Sequence, residues 1–195
     1  MLLLVIIAGL SWLTLARNDV YADPLALFND AARKSPAKGR VYFNIGTYIY
    51  QYHDDRMDEA ITALQRATDL RPDHFRSHFS LGMAYVRRGR LDDAERSFRT
   101  ALGLKPRSVD ALLNLGSVYY LQHKLPEALQ AYQDALQAQP GNIDARMNLA
   151  KTYRQMGRSL DARREFEMVL QIQPSNAEAA AELRDLGGSD RKLHR

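Results

Sequence analysis

Five prolines set the frame of this chain. Pro36, Pro72, Pro106, Pro140 and Pro174 are spaced by 36, 34, 34 and 34 residues. A period of that size marks an array of supersecondary units, each too small to bury its apolar face without a neighbour. Aligned on the prolines, the blocks share two further patterns. Residues 81–85 (LGMAY), 115–119 (LGSVY) and 149–153 (LAKTY) fall 34 apart, and Ile45-Gly46 takes the same place in the first block. DEAITALQRA, DDAERSFRTA, PEALQAYQDA and DARREFEMVL then follow, centred on Ala60, Ala94, Ala128 and Ala162.

Each position has a physical reason. Gly46, Gly82, Gly116 and Ala150 fall on the first helix of each block, and the four alanines on the second. Small side chains there let two antiparallel helices approach closely, while Leu81, Tyr85, Phe98 and their equivalents fill the seam at spacings of three and four. Ala67, Ala101, Ala135 and Val169 are placed to face the next block. The prolines stop each second helix because they donate no backbone hydrogen bond, whereas Pro126 suits a helix's first turn. These motifs resemble the tetratricopeptide repeat, which implies an all-α fold: an α-solenoid of antiparallel helix pairs. Four repeats are expected over residues 39–174, as blocks 39–74, 75–108, 109–142 and 143–176.

The array drifts at its ends. The first block has two extra residues, which predicts a longer turn near residues 52–57. Asp23-Pro24 is a helix start, and counting back from Pro36 puts Ala31 and Phe28 at the small and aromatic positions of a second helix. Residues 23–36 therefore read as half a repeat. After Pro174 a capping helix is expected over 177–188, stopped by Gly187-Gly188, then a basic tail over 189–195. In that helix Arg184 stands where earlier blocks have Gly or Ala, as a solvent-facing cap requires.

Residues 2–16 (LLLVIIAGLSWLTLA) carry no charge and are followed at once by Arg17. An N-terminal apolar helix is expected here, acting as membrane helix or signal anchor over residues 1–16. As a helix it reaches about 22 Å, short of a bilayer core that takes about 20 residues, so association with other membrane helices is expected. A cleaved signal ending at Val20-Tyr21-Ala22 competes with it, although no basic residue precedes the run. So does the second half of a longer helix that begins upstream. The junction ARNDVYADPLALFNDAARKSPAKGRVYFNIG resembles the point where multi-pass membrane proteins of the tetratricopeptide O-mannosyltransferase-like type leave their last membrane helix. That resemblance implies a non-catalytic C-terminal part, with repeats on the periplasmic (exoplasmic) side. The positive charges Arg17, Arg33 and Lys34 after the apolar run favour the cytoplasmic side instead.

The sequence has no Walker loop, GxGxxG, HExxH or GxSxG, and no cysteine, so no catalytic residue and no cofactor is expected. His74 and His78 are four apart but lack a third ligand, and read as surface histidines rather than a metal site. Asp54-Asp55 and Asp92-Asp93 read as helix N-termini. The net charge of +4 is small and dispersed, which argues against nucleic acid. Function is expected in the concave groove that first helices line in this repeat class. One row is Phe43, Phe79, Leu113 and Met147. A second contains Asn44, Asn114 and Asn148, with Ser80, and a third Thr47, Met83, Ser117 and Lys151, with Arg87 beside them. Apolar anchors and carboxamides in that arrangement suit a peptide's side chains and backbone. The expected function is a membrane-tethered scaffold that binds a protein or peptide partner. Alternatives are a non-catalytic accessory domain of a membrane glycosyltransferase, or a structural subunit of a larger membrane assembly.

Overall fold

The structure, a computed structural model, describes residues 23–193, with side chains as far as Gly187. The expected helix over residues 1–16 lies outside the described residues. Among the described residues every regular element is helical: α1 (Pro24–Lys34), α2 (Gly39–Tyr52), a 3-10 turn (Asp54–Arg56), α3 (Met57–Leu70), α4 (Phe75–Arg87), α5 (Leu91–Leu104), α6 (Val109–Leu121), α7 (Leu125–Ala138), α8 (Ile143–Gln155), α9 (Ser159–Ile172) and α10 (Ala177–Leu193). None of these is long and apolar enough to cross a membrane.

The proline period becomes a recurring turn. Each second helix ends two residues before its proline, and an i→i+3 backbone bond closes the turn, as in Ser108 N–H to Lys105 O at 3.2 Å and Asn176 N–H to Gln173 O at 3.0 Å. Proline with its fixed φ suits the second position of such a turn. At the last three of these turns the residue before the next helix caps it. Ser108 Oγ accepts from Ala111 N–H, Asn142 Oδ1 from Ala145 N–H and Asn176 Oδ1 from Ala179 N–H. Asp23 does the same for α1, accepting from Leu25 N–H at 2.9 Å. Pro126 occupies the first turn of α7. Asp92 and Asp93 lie in the first turn of α5, and the two extra residues of the first block appear as the 3-10 turn carrying Asp54 and Asp55.

Residues up to Ala84 and residues from Tyr85 form two compact units. In the first, α2 and α3 form an antiparallel pair, with α1 against α2. The pair is close because Gly46 has no side chain: a Cβ there would lie 2.5 Å from Leu64 Cγ. In the second unit α6 pairs with α7 and α8 with α9, α5 leans on α6, and α10 on α9. Its core joins Ala128, Tyr132, Leu149, Ala150, Phe166 and Val169, with Ala179 and Leu186 of α10 closing the end. Arg184 is exposed.

One boundary differs from expectation. α10 does not stop at Gly187-Gly188 but continues to Leu193, taking in most of the expected tail. Glycine costs a helix about 1 kcal/mol against alanine but keeps its N–H donor, and the following residues offer no proline to force a stop.

Candidate functional site

The face built by first helices divides between the two units. In the first, Phe43 and Asn44 are half-buried on α2, and Thr47 Oγ1 turns back to Phe43 O at 2.8 Å. The Phe43 ring meets His74 edge-on, centroids 5.2 Å apart. Phe79 and Met83 on α4 are half-buried, and Arg87 is exposed in the second unit. His74, just before α4, and His78 on it are engaged separately: His74 Nδ1 lies 2.7 Å from Ser77 Oγ, and His78 Nε2 2.9 Å from Pro72 O. Among the described residues no cluster of three metal-ligating side chains exists.

Burial pushes the His74 ring below its ordinary value, helped by Arg71 and Arg76 and opposed by Asp73. The folded state therefore resists protonation that the unfolded chain accepts near pH 6.5. Stability should fall as pH drops through that value and level off below the lower folded one. Thermal unfolding at pH 7.5 and 5.5 checks this. His74→Asn should lose less stability across the interval than the parent, and an equal loss would remove His74 as the cause.

In the second unit the rows converge on a cavity of about 180 Å³, lined by Ser117, Tyr120, Leu121, Tyr132, Asn148 and Lys151. Three of these, Ser117, Asn148 and Lys151, belong to the expected groove, and the structure brings them together. Tyr132 crosses from α7 to donate to Ser117 Oγ at 3.2 Å, and burial pushes its phenol up, partly offset by that bond. Leu121 remains 53% exposed at the end of α6, an apolar contact that the sequence rows did not include. Lys151 is held by Glu178 of α10 at 2.6 Å, and Arg154, one turn on, by Glu182.

Other expected members stand differently. Met147 is 5% exposed and packed in the core, so it offers nothing to a ligand. α10 lies beyond the last full repeat and closes the end of that core with Ala179 and Leu186. Leu113 is half-buried, and Asn114 spends its amide on Asp110 O at 2.7 Å.

The tetratricopeptide repeat model matches residues 49–104 and 79–143, and a second model of the same description matches residues 119–186. Together they span more than half of the chain. The chain is a tetratricopeptide repeat protein. Solved structures agree on the fold. MamA (residues 41 to the end) from Desulfovibrio magneticus RS-1 aligns with a TM-score of 0.74 at 19% identity, covering 87% of this chain and 94% of that one. A Pseudomonas aeruginosa structure described as a functional characterization of pilF gives 0.67 at 24% identity, covering 79% and 69%. YrrB, described as "a TPR protein with an unusual peptide-binding site", gives 0.71 at 19% identity, covering 84% of each. No curated protein is a significant sequence match. This tetratricopeptide chain thus has the all-helical solenoid fold of its family, with a small polar-edged cavity on first-helix side chains of its second unit.

Proposed function

We propose that this protein is a membrane-tethered scaffold that binds a partner polypeptide on the first-helix face of its repeats. The observation that carries the reading is the cavity between α6 and α8. Leu121, Tyr120 and Tyr132 form an apolar cup of a size for one side chain, and Asn148 and Lys151 stand at its edge. A carboxamide there offers a donor and an acceptor to a peptide backbone. The description of YrrB supports a peptide as the type of ligand, since tetratricopeptide proteins bind peptide or protein partners. The tether rests on the uncharged run of residues 2–16, which joins α1 within a few residues.

A pull-down in mild detergent tests the scaffold. Leu121→Ser combined with Asn148→Ala should release the captured partner while far-ultraviolet circular dichroism stays unchanged. Partner retained at full yield by that variant would move the site off this face. Sequencing the mature N-terminus tests the tether: a start at Asp23 would make the protein a released solenoid. A second reading follows from the junction over residues 16–46, which is similar to O-mannosyltransferase-like membrane proteins. In that reading the repeats are an accessory domain of a membrane glycosyltransferase, on the periplasmic side. A transferase subunit co-purifying through residues 1–22 would favour it.

A further inference from the structure

On the outer side of the repeats two successive second helices flank a first helix, and three of these intersections are filled in three different ways. Between α1, α2 and α3 there is an open cavity of about 580 Å³. Its floor is Leu25, Ala32, Ile45, Ile49 and Ala63, and its walls carry Asn29, Tyr42 and Arg66. One repeat pair later, among α5, α6 and α7, the equivalent cavity is about 400 Å³, with Leu102 where the first has Ala32. In the last repeat the positions matching Tyr42 and Ala63 are Arg146 and Glu165. They form a mostly buried ion pair at 2.9 Å, and Arg146 also donates to Pro140 O at 3.0 Å. The chain thus contains its own way of closing this intersection and, among the described residues, leaves the first one open.

The open cavity also differs in charge. Where the middle cavity is lined by Glu127 and Asp134, the first has Glu59 and Arg66. Glu59 is occupied by Arg56, at 2.7 and 2.9 Å. Arg66 has no carboxylate partner among the described residues. Asp58 lies eight residues back along α3, about 12 Å away, so it faces the other end of the cavity. The antiparallel α2–α3 pair puts the start of α2, and so Tyr42, at the Arg66 end; Gly39 accordingly lies against Arg71. The volume falls in the range of cavities that hold ligands, and apolar floors with a few polar groups are their usual lining.

We infer that this outer cavity is a second, separate binding site, which takes a partner polypeptide segment offering one large apolar side chain next to an aspartate or glutamate. The apolar side chain fills the floor, and the carboxylate meets Arg66 and the Tyr42 hydroxyl, away from Asp58.

The full chain is titrated with a fluorescein-labelled ten-residue peptide holding one Trp-Glu step in a glycine-serine background, followed by fluorescence polarisation up to millimolar concentration. Saturable binding is expected, weakened by added salt and about tenfold weaker for Arg66→Asp, which copies the middle cavity's charge. Tyr42→Arg with Ala63→Glu, which transplants the closing ion pair, should abolish it. Should that pair fail to fold, the exposed Arg66→Asp alone decides. The Leu121→Ser, Asn148→Ala variant should bind normally, which keeps this site distinct from the inner one. No saturation, equal binding of a Trp-Lys peptide, survival in a folded plugged variant, or loss only in the inner-face variant would each overturn the assignment.

Discussion

Truncating Phe166 to alanine should destabilise the second unit by about 3–5 kcal/mol, the usual cost of deleting a fully buried aromatic side chain. Phe166 is 0% exposed and belongs to a cluster that joins α7, α8, α9 and α10. Ala150 and Val169 of the same cluster are also fully buried. The cluster is drawn from helices already packed against one another, so the space would not refill cheaply. Because stability in a repeat array is a sum of local and nearest-neighbour contributions, the loss should concentrate where Phe166 sits. Hydrogen exchange should show protection falling across α8, α9 and α10 while α2 and α3 change little. The unfolding midpoint should drop on the order of 10 °C if the unit melts as one. A midpoint within 2 °C of the parent, or an equal loss of protection in α2, would contradict this account of the core.

The residues explain why the helices were legible and the site only in part. Proline and the small positions act locally: Pro106 ends a helix whatever lies across from it, and Gly46 or Gly116 reports a close approach because a Cβ there would press on Leu64 or Tyr132 of the facing helix. The helix α1 is legible for the same reason, with Asp23 as cap and Pro24 behind it. Depth was not legible. Leu113 and Met147 occupy the same place in successive repeats, yet only Met147 is buried, in the cluster that Ala179 and Leu186 of α10 complete. The partners of Lys151 and Arg154 come from that helix too, 27 and 28 residues away, at positions read only as a cap. The outer cavities escaped for a related reason. Whether such an intersection is open depends on the sum of three side chains on three helices, as Tyr42, Ala63 and Ala32 against Arg146, Glu165 and Leu136. A period shows which residues correspond but not whether their volumes close a gap. Gly187-Gly188 failed as a stop because a missing side chain is a cost, not a block.

Gly116→Leu should be the second large effect, and its size can be bracketed from inside the molecule. A Cβ at Gly116 would lie 2.6 Å from Tyr132 Cε1 and 2.9 Å from Cδ1 and Cζ, so the contact is with the ring's length and not its tip. Tyr132 is 2% exposed and tied to Ser117 Oγ, which leaves the ring little room to yield. The fourth repeat shows what relief looks like. There Ala150 takes the glycine's place, and Phe166, without a hydroxyl to satisfy, takes the tyrosine's. One methyl is therefore tolerable at this position when the ring can settle slightly outward. Gly116→Ala should cost little in a Tyr132→Phe background and more in the parent, where shifting the ring strains the Ser117 bond. Leucine adds a branched side chain that no outward settling accommodates. It should cost about 1–3 kcal/mol, the range for overpacked cores, and separate α6 from α7. The same separation would open the Leu121 cup, so partner capture should weaken together with stability. Chemical denaturation of the four variants measures the order: parent, Gly116→Ala with Tyr132→Phe, Gly116→Ala, then Gly116→Leu as least stable. A leucine variant as stable as the parent would mean that α6 and α7 do not meet at Gly116.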